Sequence, residues 1–113
     1  MAYKVFKKQK DVSEAADMAV SIHGGYRLYL GISVSSIVKN LHVERIEVLI
    51  DEDNKKICLT PSNQENTGYK LYYSRRCYTI SIRSIAKHLH LENKTDMPAT
   101  WDANRKAIEF SYQ

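Results

Sequence analysis

Long apolar runs are absent from this chain. None of its hydrophobic stretches approaches the ~20 residues that a membrane-spanning helix requires. Its first residues, MAYKVFKKQKDVSEAADMAV, start basic but contain neither a continuous apolar stretch nor a small-residue cleavage site, so they do not form a secretory signal. These absences predict a soluble, cytoplasmic protein that does not contact a membrane.

Cysteine is scarce, and the two that occur are not joined in a Cys-x-x-Cys motif. Cys58 and Cys77 each lie in an apolar, strand-like run. In a reducing cytosol such residues act as small hydrophobic side chains. We therefore expect two reduced, buried thiols rather than a disulfide bridge.

Signatures of catalysis and of cofactor binding are also missing. The sequence has no Gly-rich phosphate loop, no nucleophile elbow and no Cys/His pairing that spans both copies of the repeated passage described below. Asp51 and Asp102 both open polar loops, where an Asp side chain bonds local amides instead of acting as a buried acid. We predict that the protein is not an enzyme and has no cofactor.

The composition is that of one small globular domain with a basic balance. Hydrophobic residues make up 43% and charged residues 27% of the 113 positions. Lys and Arg number 17 against 13 Asp and Glu, which gives a net charge of +4. A basic protein of this kind suits an anionic partner, nucleic acid among them, although many equally basic proteins bind nothing acidic.

A thirteen-residue passage occurs twice, 48 residues apart. GISVSSIVKNLHV begins at Gly31 and TISIRSIAKHLHL begins at Thr79, and seven of the thirteen positions are identical. The identical pairs are Ile32/Ile80, Ser33/Ser81, Ser36/Ser84, Ile37/Ile85, Lys39/Lys87, Leu41/Leu89 and His42/His90. A duplicated unit usually cannot bury its apolar face without its twin. We expect two packed repeats, residues 18–62 and 68–113, in a single domain.

Each repeat has the pattern of strands, one short helix and a hairpin. In the first repeat we predict strands at 19–22 and 26–32, a helix at 33–41 and hairpin strands at 45–50 and 56–60. In the second we predict strands at 69–73 and 77–80, a helix with the apolar stripe Ile82, Ile85, Ala86 and Leu89, and hairpin strands at 99–101 and 107–111. The order within a unit is ββαββ or βαββ, with a linker at 61–68 and a loop at 92–98.

Three further expectations concern single residues. Ser33 and Ser81 precede the two helices and are natural N-caps. His42 and His90 follow the helices, where contact with the terminal carbonyls explains them better than zinc, because no Cys, Asp or Glu joins His88 and His90 at metal spacing. Trp101 is expected in the core. We therefore predict no metal site.

Residues 1–17 form a basic N-terminal arm. Lys4, Lys7, Lys8 and Lys10 supply its charge, and Asp11 or Ser13 could cap a short helix. The arm is either a solvated terminus or a binding element.

The repeat resembles the AbrB/MazE/SpoVT family of swapped-hairpin DNA-binding domains. YLGISVSSIVKNLHVERIEVLIDEDNKKICLTP, from Tyr29, carries the resemblance best, and 78–110 repeats it more loosely. The family's usual Ile-Pro before the helix is Ser33-Val34 and Ser81-Ile82 here, and the position of its Gly-Arg lacks arginine. The resemblance implies an α+β, mostly β fold: two tandem βαββ-like repeats forming one swapped-hairpin-like, pseudo-dimeric barrel with two short helices.

The same resemblance, with the basic charge, implies a duplex DNA-binding protein, such as a prokaryotic or viral transcriptional regulator. Twofold-related cations suit the twofold-related backbones of a duplex. The predicted DNA-binding residues are Arg27, Lys39, Arg75, Arg76, Arg83 and Lys87, with Tyr29, Tyr72, Tyr73 and Tyr78 nearby.

An alternative function remains open at this point. The chain could be a non-enzymatic protein-binding module, such as an antitoxin-like or virus-encoded inhibitor of a host protein, with its cations facing an acidic partner. A chain that holds both repeats is expected to be a monomeric pseudo-dimer or a weak homodimer.

Overall fold

The computed structural model of the chain describes residues 18–24, 26–62, 64 and 66–113. The predicted arm at 1–17, with its caps at Asp11 or Ser13, lies outside these residues. In chain order the elements are β1 (Ala19–His23), β2 (Arg27–Leu30), α1 (Ile32–Asn40), β3 (Arg45–Asp51), β4 (Lys56–Ser62), β5 (Gly68–Lys70), β6 (Tyr72–Ser74), β7 (Cys77–Ser81), α2 (Arg83–Leu89), β8 (Lys94–Asp102) and β9 (Ala107–Ser111). The expectation of a mostly β fold with two short helices is confirmed.

The strands form one antiparallel sheet in the order β5-β3-β4-β9-β8-β1-β2-β7-β6. Its two outer strands, β5 and β6, are consecutive in the chain, and Leu71 alone separates them. Leu71 is buried and donates its N–H to the carbonyl of Glu44 at 3.0 Å. The sheet therefore nearly closes into a barrel, which leaves little free edge for pairing with other chains.

The two halves of the chain interlace in this sheet. β1 pairs with β8, where Val20 lies opposite Met97, and β3 pairs with β5. β2 pairs with β7, and β4 pairs with β9. Each hairpin, β3–β4 and β8–β9, is thus hydrogen-bonded to strands from the other half of the chain.

Alternation along each strand separates a buried face from an exposed one. In β2, Leu28 and Leu30 are at most 1% exposed, while Arg27 and Tyr29 face solvent. The interior is filled by aliphatic side chains from almost every element, together with Met97 and Phe110. Burying each such side chain stabilises the fold by about 1.5–3 kcal/mol. Trp101 only packs half-buried against this core, so the expectation of a core tryptophan is met in part.

The predicted serine caps are wrong. α1 begins at Ile32 with Gly31 as its N-cap, and α2 begins at Arg83 with Ile82 as its N-cap; neither makes a side-chain capping bond. Ser33 lies inside α1, and Ser81 is the last residue of β7. The β2–β7 ladder extends to Ser81, opposite Arg27, and this tertiary pairing moves the start of α2 away from Ser81.

Two segments of the second repeat also differ from expectation. The predicted strand 69–73 is broken at Leu71, because its first part pairs with β3 and its second part with β7. Most of the predicted loop 92–98 is strand, since β8 begins at Lys94 and pairs with β1. Long-range pairing gives this polar segment its structure.

The two hairpin turns are built in the same way. Asp51 Oδ1 accepts the N–H of Asn54 at 3.2 Å, and Asp102 Oδ1 accepts the N–H groups of Asn104 and Arg105 at 3.0 and 3.2 Å. Each turn ends in a lysine of left-handed conformation. Asp51 also accepts a bond from the side-chain amide of Asn54, which is the main reason that its pKa lies below the ordinary value of 3.8.

Candidate functional site

Within residues 18–113 the acidic side chains are confined to segments 44–65 and 92–113, whereas the basic side chains are spread over the whole range. Segments 18–43 and 66–91 contain seven Lys or Arg and no Asp or Glu, whereas segments 44–65 and 92–113 contain ten Asp or Glu against six Lys or Arg. The first pair of segments forms β1, β2, α1, β5, β6, β7 and α2, and the second pair forms the two hairpins. The helices and the strands beside them are therefore the cationic part of the molecule.

One group of cations surrounds Tyr26, at the turn between β1 and β2. The guanidinium carbon of Arg83 lies 5.4 Å from the centroid of the Tyr26 ring, and Lys87 Nζ lies 5.8 Å from it. Both cations project from α2. The carbonyl of Tyr26 accepts the N–H of Ile82 at 2.8 Å, which fixes the turn against the start of this helix. We call Tyr26, Arg83 and Lys87 the Tyr26 cluster.

A matching group surrounds Tyr73, on β6. Lys39 Nζ, from α1, lies 5.6 Å from the centroid of the Tyr73 ring, and the Tyr73 and Tyr78 rings are in tilted contact at 4.8 Å. Arg76 and Lys39 line one cleft of about 260 Å³ beside Tyr73. We call Tyr73, Lys39, Arg75 and Arg76 the Tyr73 cluster, since Arg75 adjoins Arg76 in the turn that follows β6.

The pairing of β2 with β7 sets the distance between the two clusters. Because these strands are antiparallel, the turn before β2 lies beside α2, and the turn before β7 lies beside α1. The four residues of β2 span about 10 Å between its first and last Cα atoms, so the clusters stand at opposite ends of a short ladder. Arg27 lies on the exposed face between them and donates to Thr79 Oγ1 at 3.3 Å.

All six predicted DNA-binding residues are exposed, and they fall into these positions. Lys39, Arg75 and Arg76 lie in the Tyr73 cluster, Arg83 and Lys87 in the Tyr26 cluster, and Arg27 between the two. Within the part of the chain that the structure describes, none of the six lies within 4.0 Å of a carboxylate. No carboxylate of the described residues therefore neutralises their charges.

The expected pairing of these residues across the repeat holds only in part. Lys39 and Lys87 both project from a helix over a tyrosine ring. Arg27, however, belongs to strand β2, while Arg75 lies in a turn. The repeat places the two arginines at equal spacing in the sequence but at different places in the fold.

Sequence reasoning missed two features of this surface. Tyr26 was not among the tyrosines expected near the cations, although two cations lie over its ring. Lys70, which lies 5.5 Å from the centroid of the Tyr72 ring, was not among the expected cations. Segments 18–43 and 66–91 contain no Asp or Glu, which can be read from the sequence alone. Because Tyr26 and Lys70 lie within these segments, the pattern could have identified both residues.

The geometry of the described residues supports neither a metal site nor a Cys–His pair. No group of three or more His, Cys, Asp or Glu in the described ranges could hold a metal ion. His23 and Cys77 line one cleft of about 480 Å³, but they belong to β1 and β7, and strand β2 lies between these two strands. Both thiols are free and half-buried, and burial raises the pKa of Cys58.

The repeated histidines have a backbone role that was not expected. His42 and His90 follow the helices with φ of 54° and 55°, in the left-handed conformation that often ends a helix. Their N–H groups donate to the carbonyls of Lys39 and Lys87 at 3.2 and 3.4 Å. The backbone amide, and not the imidazole, makes the contact with the helix carbonyls.

The helices are short, and none of those in the described residues is long and apolar enough to cross a membrane. Comparison of the chain with protein-family models, with curated proteins and with solved structures gave no match.

Proposed function

We propose that this chain is a duplex DNA-binding protein with a role in transcriptional control or a similar DNA-directed process in a prokaryote or its virus. The contact surface would be the β2–β7 ladder with the Tyr26 and Tyr73 clusters at its ends. The observation that carries the proposal is the segregation of charge: these residues lie in segments without a single Asp or Glu.

The arrangement of the strands supports a fused pair of equivalent units. Suppose that each strand is replaced by its counterpart in the other half, so that β1 exchanges with β5 and β6, β2 with β7, β3 with β8 and β4 with β9. The β1–β2 pairing then becomes β6–β7, β1–β8 becomes β5–β3, and β3–β4 becomes β8–β9. β2–β7 and β4–β9 join equivalent strands and are unchanged. This exchange is what a swapped-hairpin-like pseudo-dimer of tandem repeats requires, in which β5 and β6 together correspond to β1. The proposal includes a monomeric state, because one chain supplies both hairpins.

Cations that have no carboxylate partner among the described residues, at two ends of one ladder, suit the backbone of a duplex. Each phosphate that a Lys or Arg neutralises releases condensed counterions, which drives binding. Cations that lie over tyrosine rings are oriented by the ring without being neutralised, and the tyrosine hydroxyls can donate to phosphate oxygens. The acidic hairpin turn at 51–53 lies beside α2, where Glu52 Oε2 is 3.3 Å from His88 Nε2, and it would repel DNA on that side of the helix.

Binding of a duplex of 20–30 base pairs, measured by fluorescence anisotropy between 50 and 200 mM salt, tests the proposal. If four phosphates are contacted, affinity should fall about 100-fold over this range. R83Q/K87Q should reduce the slope of log affinity against log salt by about 2. The control K55Q/K106Q removes two charges from the hairpin turns and should retain most of the slope. Equal losses in both variants, or no binding at 50 mM salt, would contradict the proposal.

A second candidate function has one observation in its favour. Pairing of β3 with β5 stops at Glu47, and beyond it Leu49 and Ile50 are 45% and 36% exposed. Exposed apolar side chains on a strand suit a protein partner, as expected of an antitoxin-like or inhibitory module. A stable complex with a host protein that is lost on L49S/I50S, without any DNA binding at 50 mM salt, would favour this function over the first.

A further inference from the structure

The turn between β6 and β7 has an unfavourable backbone for its sequence. Ser74 lies opposite Cys77, so Arg75 and Arg76 form a two-residue hairpin loop. Their φ angles are 52° and 70°, which makes both residues left-handed. Loops of this kind strongly favour Asn-Gly, because a larger side chain is strained at positive φ. The turn between β1 and β2 has Gly24 at φ of 63° instead.

The strained turn forms one wall of the cleft beside α1. The residues that line this cleft are Ile32, Ser35, Ser36, Lys39, Tyr73 and Arg76. The Ser35 hydroxyl is already bonded to the carbonyl of Leu30 and to the N–H of Tyr78. The remaining polar groups are the hydroxyls of Ser36 and Tyr73, the ammonium of Lys39 and the guanidinium of Arg76. All of them can donate hydrogen bonds, and no carboxylate from the described part of the chain lines the cleft.

We propose that this cleft binds a phosphate group, and that the turn keeps Arg76 at a left-handed position because the phosphate requires its guanidinium. A guanidinium presents parallel N–H groups that match two phosphate oxygens, and a two-residue loop holds it in place. The hairpin loop sets this backbone, and residues held in such strained conformations cluster at functional sites. The identity of the phosphate as a DNA backbone group rests on the proposed function above; the alternative source is free inorganic phosphate.

The variant R75N/R76G tests the proposal, because it gives the loop its preferred sequence and removes both guanidinium groups. Its thermal midpoint should rise by about 5 °C. Its affinity for the duplex at 100 mM salt should fall at least 10-fold, with a loss of one to two in the salt slope. K39Q, which leaves the turn intact, should also weaken binding. The matched control is K106G, which relieves a left-handed lysine at φ of 51° in a hairpin turn and should bind DNA like the wild type.

A titration with inorganic phosphate separates this site from the proposed function. In the wild-type protein the amide resonances of Ser36, Lys39 and Arg76 should shift as phosphate is added, and in R75N/R76G the shifts at Ser36 and Lys39 should be lost. Shifts that persist in the variant, or DNA affinity equal to the wild type, would overturn the phosphate site while leaving DNA binding intact. Wild-type protein that shows the phosphate shifts but does not bind the duplex would support the cleft and refute the proposed function.

Discussion

The hydroxyl of Ser35 accepts a hydrogen bond from the backbone N–H of Tyr78 at 2.9 Å, although 43 residues separate the two in the chain. The same hydroxyl donates to the carbonyl of Leu30 at 3.0 Å. Ser35 is 1% exposed, so water cannot replace either bond. One buried side chain thus joins α1, β2 and β7 beneath the candidate site.

Replacing Ser35 by Ala should destabilise the protein by about 1–3 kcal/mol, because the Tyr78 amide loses its acceptor in a dry environment. Chemical denaturation followed by circular dichroism measures the change. S36A, one position along the same helix but exposed, should change the free energy of unfolding by less than about 0.5 kcal/mol. Equal effects of the two substitutions would contradict the assigned role of Ser35.

Glycine at His42 or His90 should stabilise the protein. Both residues follow a helix with positive φ, where a residue with a Cβ is strained and glycine is not. We expect each of H42G and H90G to raise the free energy of unfolding by about 0.5–1 kcal/mol. A103G, in a hairpin turn at a position without positive φ, should lower it instead. A loss of stability in H42G would show that the imidazole makes a contact of its own.

Gly68 and Gly24 should respond differently to alanine. A Cβ at Gly68 would lie 2.8 Å from Arg45 Cβ and 2.9 Å from the carbonyl oxygen of Gln64, whereas a Cβ at Gly24 would meet nothing within 4 Å. G68A should therefore destabilise the protein by about 1–3 kcal/mol through overpacking. G24A should cost about 1 kcal/mol through its left-handed backbone alone. Urea denaturation of the two variants compares them, and a larger loss in G24A would be the contrary result.

Stability should depend on pH through Asp51. Hydrogen bonds from Asn54 lower the pKa of this carboxyl in the folded state. A lowered pKa means that the carboxylate stabilises the fold above the ordinary value of 3.8 and that this contribution disappears as pH falls through the lower, folded value. The thermal midpoint of the wild type should exceed that of D51A at pH 7, and the difference should narrow below pH 3.8. A difference of the same size at pH 2 would exclude this mechanism.

The elements that local sequence determines were predictable. Both hairpins occur where alternating apolar residues flank Asp51 and Asp102, because turn chemistry and period-2 burial act within a few residues. The helices also occur where the apolar stripes indicate them, with Val34, Val38, Ile85 and Ala86 buried.

Features that depend on distant partners were not predictable from one sequence. The strand character of 94–98 comes from β1, and the break at Leu71 comes from two different partner strands. The start of α2 moved away from Ser81 for the same reason. The candidate cations lie at exposed positions, but the offset of 48 relates only Lys39 and Lys87 in the fold, since Arg27 lies in a strand and Arg75 in a turn.

The pairing of Val20 with Met97 delays the completion of the barrel during synthesis. A ribosome adds about 5–20 residues per second, so β1 waits roughly 4–15 s before its β8 partner has been made. In that interval the first half of the chain presents an unmatched strand and an incomplete interior. Two nascent chains on one messenger could exchange hairpins before either is finished, so the speed of translation would influence how many molecules emerge as single closed chains.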